Sequence, residues 1–258
     1  MAKKDLIYSD QLSMFGSKEI IGFGSDEFCV KEIMRDLAYD IIVKNHYSKK
    51  GDSIAHNKIN LGVFINGEML GVLQFGYAMN PASMDKIVAN TKIDEYLELN
   101  RMWIDDKAER NTESKSISYA VRYIRSKFPK IKWIQSFADE RCGMLGIVYQ
   151  AANFRYFGFH NSTFWKIGNE VYHNNIVTNG ARKAKRTLEA KMNDAEKMDL
   201  RQFRYIYFIN QKCIKDCLLK EMPYPKHYAE KSNNFEKVEA GGLFFNSFET
   251  ELSNEAGT

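Results

Sequence analysis

The sequence predicts an α/β (α+β) fold, a mixed central sheet flanked by helices. Three observations carry that prediction. Between Tyr96 and Asn153 the apolar period switches from 2 to 3.6 and back, giving a strand, helix, strand, helix run. Two strands joined through a helix lie parallel, so that run implies a crossover within the sheet. Upstream, two apolar runs flank Asn66-Gly67-Glu68, a turn-forming sequence that implies an antiparallel hairpin. A helical stripe precedes the hairpin.

In chain order, residues 1–24 show no clear period and read as a strand or arm. From Val30 the apolar positions fall at Ile33, Met34, Leu37, Ala38, Ile41 and Ile42. That spacing predicts a helix, with Ser25, Asp26 and Glu27 as capping or acidic residues at its start. The polar loop NHYSKKGDS follows, then the hairpin strands INLGVFI and MLGVLQFGY. YLELNRMWI (96–104) reads as a strand and ERNTES as a turn. Ile117, Ala120, Val121, Ile124 and Phe128 form a second helical stripe, which Pro129 ends. IKWIQSF (131–137) reads as a strand and MLGIVYQAAN as a helix. Residues 154–177 suggest paired strands turning at Gly168-Asn169. After a charged segment, FRYIYFI predicts a strand and QKCIKDCLLKEM a helix.

Residues 1–228 are expected to form one domain, with 181–228 as a basic C-terminal extension. Residues 229–258 hold six acids against two lysines and are rich in Asn, Ser and Gly, the composition of a disordered tail. Without that tail the chain carries 35 basic and 27 acidic residues, and 181–220 alone carries 11 basic and 5 acidic. A basic body of this kind can attract polyanions such as nucleic acid. No apolar run approaches the roughly 18 residues of a membrane span, and the first residues lack a secretory apolar core. Cys29, Cys142, Cys213 and Cys217 have neither CxxC nor zinc-finger spacing, so a reducing cytoplasm is expected.

The element order looks like the GNAT N-acyltransferase fold. Enzymes of that fold often keep a proton-donating Tyr on the last core helix, before a Gly-Phe turn; Tyr149 and Gly158-Phe159 match that layout. HYSKK (46–50), ELNRMWI (98–104), RNTES (110–114), SFADERCGMLGIVYQAANF (136–154) and RYIYF…PYPK (204–226) together resemble the Mom family of bacteriophage DNA-modification proteins. The resemblance implies transfer of a methylcarbamoyl (acetamido) group to N6 of adenine in double-stranded DNA, in the host cytoplasm, protecting phage DNA from restriction. A homodimer is one reading of the oligomeric state. Acyl-CoA is disfavoured as the cofactor, because Arg110-Asn111-Thr112-Glu113-Ser114 lacks the glycines that let a pyrophosphate approach a helix start.

Candidate residues follow from the residue types and this resemblance together. His46 ends the first helix, where the dipole favours it, and its near-neutral pKa suits a base or metal ligand. Tyr47 lies beside it. Asp139 lies at the carboxyl end of a strand, where α/β sheets gather ligand sites, although Asp also caps helices. Tyr149 reads either as a core tyrosine or as an acid facing the cleft. His46, Tyr47, Asp139 and Tyr149 are the catalytic candidates, with His46 and Asp139 also a candidate pair for a divalent metal such as iron. Arg101, Arg110, Asn111 and Ser114 are the substrate or donor candidates; Lys183, Lys185, Arg186 and Arg204 are the DNA-binding ones. Phe154, Tyr156 and Trp165 join Tyr47 as aromatics able to stack on a base, and the other histidines show no paired ligand spacing. Two rival functions are an acyl-CoA-dependent N-acetyltransferase acting on an amine or protein, and a non-catalytic DNA-binding anti-restriction protein.

Overall fold

Phe28, Cys29 and Val30 are consecutive and all buried, which a strand covered on both faces allows and a surface helix does not. The computed structural model describes residues 5–12, 16–46, 57–140, 145–168, 170–174 and 194–226. Among them, ten strands form one sheet: β1 (Leu6–Leu12), β2 (Lys18–Gly24), β3 (Phe28–Glu32), β4 (Asn57–Ile65), β5 (Glu68–Gly76), β6 (Tyr96–Ile104), β7 (Trp133–Asp139), β8 (Arg155–Ile167), β9 (Glu170–His173) and β10 (Glu196–Phe208). Their order across the sheet is β1-β2-β3-β4-β5-β6-β7-β10-β8-β9. The helices are α1 (Arg35–Asn45), α2 (Thr112–Lys127) and α3 (Ile147–Ala151). All described residues fall within one compact unit, 1–227. The expected acidic tail lies outside the described residues, as does most of the charged segment after Ala181.

Three expectations need correcting. The opening stretch contributes β1 and β2 to the sheet rather than an arm, because β2 pairs β3 and buries Phe23. The first helix starts at Arg35, after Met34, which offers no side-chain cap; Ser25–Glu27 instead turn the chain between β2 and β3. The segment after β10 forms a 3-10 turn, Gln211–Asp216, rather than a longer helix. Cys213 there is buried and Asn210 caps the turn by accepting from the Lys212 amide.

The other elements match the expected pattern. Asn66 and Gly67 both take positive φ, as a two-residue hairpin turn requires. β8 and β9 pair antiparallel around Gly168, which also has positive φ. β6 and β7 pair in parallel, joined through α2, and every other paired neighbour is antiparallel.

Two packing layers follow from strand alternation. On one face Ile117, Ala120, Val121 and Ile124 of α2, with Tyr149 of α3, pack on Leu73, Leu97, Leu99, Ile134 and Tyr205. On the other, Ala38 and Ile42 of α1 pack on Val72 near Trp103. Farther along that face, Met84, Ile87 and Cys213 cover Tyr96, Trp133, Ile206 and Phe208. Between these two apolar caps, the second face of the sheet is polar.

Candidate active site

Along β6 the second face reads Tyr96, Glu98, then Arg101 and Trp103. Register with β5 places Arg101 opposite Gln74 and Leu99 opposite Phe75, so Asn100 is the extra residue of a β-bulge. Bulges of this kind bend a strand and re-aim its side chains. Gln74 is in turn opposite Asn60 on β4. A row of polar side chains, Asn60, Gln74 and Arg101, therefore crosses three strands beside the apolar patch under α1.

The next row is held by hydrogen bonds. Gln135 Nε2 donates to Glu98 Oε2 at 2.7 Å, and Arg204 Nη1 donates to Gln135 Oε1 at 2.8 Å. Asn100 Nδ2 donates to Glu98 Oε1 and to the Tyr77 carbonyl, both at 3.2 Å. The Arg204 guanidinium lies 4.7 Å from the centre of the Phe137 ring, and His160 meets that ring edge-on at 5.3 Å. Burial lowers the Arg204 pKa, with the Glu98 charge opposing the shift. Arg204, a DNA-binding candidate, is thus committed to the floor of this polar strip by Gln135 and Phe137.

The sheet parts at one edge of the strip. β6 and β7 pair only at Tyr96–Trp133, Leu97–Ile134 and Glu98–Gln135. Beyond that point β6 stays with β5 as far as Ile104, and β7 stays with β10 as far as Asp139. The Ser136 hydroxyl spans the start of the gap, donating to the Leu99 carbonyl at 3.0 Å. One residue further along β7, the Tyr149 hydroxyl donates to the Phe137 carbonyl at 3.5 Å. A gap between parallel strands exposes backbone groups that the ladder would otherwise occupy, which makes it a natural place for a ligand.

Tyr149 is positioned by its surroundings. It is 9% exposed and packs against Phe154 and Tyr205, with ring centres 5.8 and 5.4 Å away. Its helix follows Gly146, whose φ of 73° suits glycine. A Cβ there would meet Tyr205 Cε2 at 2.4 Å. Tyr205 cannot give way easily, because its hydroxyl donates to the Leu145 carbonyl and accepts from Gln150 Nε2 at 3.1 Å. Burial pushes the Tyr205 pKa up to about 12, so it remains a neutral anchor. Gly146→Ala is expected to destabilise the fold by about 1–3 kcal/mol through this clash and the strained φ, read as a lower urea midpoint.

The remaining candidates divide clearly. His46 caps the C-terminus of α1, its amide donating to the Ile42 carbonyl at 2.9 Å, and it is 8% exposed. It is therefore buried rather than an exposed helix end. Asp139 is the last residue of β7, 9% exposed, opposite Gln202 of β10. α3 starts after Gly146, so Asp139 does not cap it. Arg101 is part-buried and donates to the Asn100 carbonyl at 2.6 Å. Arg110 and Asn111 are exposed before α2, and Asn111 takes a φ of 68°, the left-handed turn a glycine would otherwise supply. The Ser114 hydroxyl donates to the Asn111 carbonyl at 3.1 Å, closing the first helical turn. Of the aromatics, Phe154 and Tyr156 are core residues, and Trp165 donates to Asn174 Oδ1 at 2.9 Å. Tyr47, Lys183, Lys185 and Arg186 lie outside the described residues. Among the described residues, no three His, Cys, Asp or Glu side chains converge as a metal would require.

Glu140 clamps the end of β7 to β10. It accepts from the Arg201 amide at 2.7 Å and from Arg201 Nε at 2.9 Å. Burial alone would raise its pKa, but the hydrogen bonds and charge of Arg201 outweigh it and hold the carboxyl below its ordinary value. A depressed carboxyl stabilises the fold above its unfolded pKa and loses that contribution as pH falls through the folded one. Glu140→Gln is thus expected to cost about 0.5–1 kcal/mol at neutral pH and almost nothing at acid pH, read by urea titrations at both.

Sequence reasoning missed Asn57, Asn60, Gln74, Glu98, Asn100 and Gln135. A signal was present for Asn60, Gln74 and Glu98, each a polar residue flanked in its strand by two buried apolar ones.

Comparison with known proteins bears on this geometry. Residues 27–226 match the model of the Mom protein family. The chain is 43% identical over 214 residues to methylcarbamoylase mom of Escherichia phage Mu, covering 81% of this chain and 88% of that protein. Among solved structures, it is similar to ribosomal-protein-S5-alanine acetyltransferase from Vibrio fischeri, with 8% identity, a TM-score of 0.45, and coverage of 74% of this chain and 98% of that one. It is also similar to a GNAT-family acetyltransferase from Streptococcus pneumoniae, with 13% identity, a TM-score of 0.42, and coverage of 71% and 100%. The matched span runs from the turn before β3 through the end of the described chain, taking in the sheet gap, the polar strip and every described candidate residue, and on that match the chain belongs to the Mom protein family.

Proposed function

We propose that this protein is a transferase that places a methylcarbamoyl (acetamido) group on N6 of adenine in DNA and so shields phage DNA from host restriction. The observation that carries the reading is the 43% identity to a methylcarbamoylase across most of both chains. The acyl-CoA rival is the weaker reading, because the turn before α2 offers bulky exposed side chains where a pyrophosphate would need glycine.

Adenine N6 is a poor nucleophile, since its lone pair is delocalised into the ring. The chemistry therefore needs a base near that nitrogen and groups that stabilise developing charge. In this reading N6 bonds the methylcarbamoyl carbon as that carbon's bond to the donor's leaving group breaks; His46 takes the N6 proton, Asp139 orients His46, and Tyr149 gives a proton or hydrogen bond to the departing group at the gap. Tyr47 and Arg101 complete the substrate side. Arg110, Asn111 and Ser114 lie where a donor would meet α2. A divalent metal such as iron on His46 and Asp139 would need a further ligand from beyond the described residues.

The partner is double-stranded DNA in the host cytoplasm. A target inside a duplex is out of reach, so the base is flipped out. Lys183, Lys185 and Arg186 would neutralise phosphates, giving salt-sensitive affinity. Among the described residues no helix is long and apolar enough to cross a membrane.

The test is cleavage of DNA from expressing cells by restriction enzymes whose sites contain adenine. Resistance supports the reading, whereas ordinary cleavage with ample soluble protein, together with coenzyme A binding in calorimetry, would favour the acetyltransferase rival.

A further inference from the structure

Two buried amide oxygens in the polar strip, Gln74 Oε1 and Asn100 Oδ1, have no hydrogen-bond partner among the described residues. Leaving a buried acceptor unmet is costly, so native proteins rarely do so without a reason. Gln74 is 1% exposed and lies between Leu73 and Phe75, at the centre of the sheet. An apolar residue would serve packing better there.

The surrounding side chains hold the Gln74 amide in one orientation. Its Nε2 donates to Asn60 Oδ1 at 3.0 Å. Asn60 and Asn57 exchange reciprocal hydrogen bonds at 2.8 Å, which locks the Asn60 acceptor in place. Asn60 and Asn57 are themselves buried. Each amide of this chain donates to its neighbour, and the Gln74 carbonyl is left as the open end. Asn100 is the bulge residue immediately before Arg101, the register partner of Gln74, and its amide donors are likewise used on Glu98 and Tyr77. Two fixed acceptors therefore sit in neighbouring positions of one strip.

We infer that Gln74, fixed by Asn60 and Asn57 and supported by Asn100, forms a base-reading subsite that accepts a hydrogen bond from the exocyclic amino group of the target purine. This inference rests on the adenine-modification reading and names the residues that recognise the base. Adenine carries an N6 amino donor. Hypoxanthine presents an oxygen acceptor at that position, which would face the Gln74 oxygen, and unsubstituted purine presents neither. A site built to hydrogen-bond a group discriminates strongly against analogues that lack it.

The experiment measures binding of the purified full chain to short single-stranded oligonucleotides of deoxyadenosine, deoxyinosine or purine deoxyriboside. Backbone charge is the same in all three, so the non-specific electrostatic attraction cancels, and no flipping is needed. The wild type is expected to bind the deoxyadenosine oligonucleotide about ten-fold more tightly than the other two. Gln74→Met, similar in shape but lacking the acceptor, is expected to bind all three alike while its melting temperature is unchanged or higher. A purely structural role for Gln74 would instead lower the melting temperature and leave the preference intact. Equal or tighter binding of the inosine oligonucleotide by the wild type would overturn the assignment without need of any variant. Modified adenine in cellular DNA without this preference would defeat the subsite alone; the preference without modified adenine would uphold base reading and defeat the transferase reading.

Discussion

Asp139→Asn is expected to lower adenine modification by about 100- to 10,000-fold, the range that acid–base groups contribute, while the protein stays folded. The substitution keeps the shape of a side chain that is almost fully buried at the end of β7, so packing and pairing with Gln202 are retained. It removes the negative charge. In the proposed roles that charge orients His46 and stabilises the imidazolium formed when N6 gives up its proton, and neutral asparagine does neither. His46→Asn is expected to match it, and combining the two should cost little more, because groups acting as one unit do not add. Tyr149→Phe tests the gap itself: it removes only the hydroxyl at the Phe137 carbonyl and leaves the ring on Phe154 and Tyr205. The checking measurement is the modified fraction of adenine at matched soluble protein, with urea midpoints alongside. Retained modification in Asp139→Asn would remove Asp139 from the chemistry.

Trp133→Ala is expected to destabilise the fold by about 3–5 kcal/mol, the largest effect on stability among single substitutions considered. Trp133 is fully buried and starts β7 beneath the second apolar cap. Its ring stacks on Tyr96 at 5.2 Å, and its Nε1 donates to Thr91 Oγ1 at 3.1 Å. Alanine would leave a cavity between Tyr96, Met84 and Ile206 and deprive Thr91 of its donor. It would also weaken the place where β6 and β7 are joined, since Tyr96–Trp133 is the first of their three paired positions. The gap opens two residues farther on, so loosening this junction should reduce modification as well. Equilibrium urea unfolding gives the free energy; a loss below about 1 kcal/mol would mean that the cap does not pack on Trp133 as described.

The elements with strong periodicity were legible in the sequence. β6, the hairpin and α2 lie where their patterns place them, because Asn66-Gly67 and Pro129 mark local boundaries that tertiary contacts need not override. The first helix was misread at its start because Val30 fits a helical period and equally fits a buried strand; pairing with Val63 decides it, and pairing is non-local. The tail of the chain after β10 was misread for a similar reason: Cys213 and Cys217 are one helical turn apart, yet Val88 pairs with Cys217 and draws the backbone out of a helix.

The site was legible only through its chemistry-bearing residues. Asp139 and Tyr149 stood out by type and place, and both prove to lie at the sheet gap or at the end of the strand that bounds it. The polar strip was hidden, since Asn60, Gln74, Glu98 and Gln135 come from four strands and only their register makes them neighbours. Arg204 looked like a phosphate contact because it follows a basic segment, but strand alternation turns it towards Gln135 and Phe137. Charge along the chain does not reveal which face of a strand a residue takes.

The most direct test of the account is nucleoside mass spectrometry of DNA from cells expressing the wild-type chain. The expected result is a deoxyadenosine species that carries one added methylcarbamoyl group and is absent from cells without the protein. DNA whose adenine is entirely unmodified, with abundant soluble protein in the same cells, would contradict it.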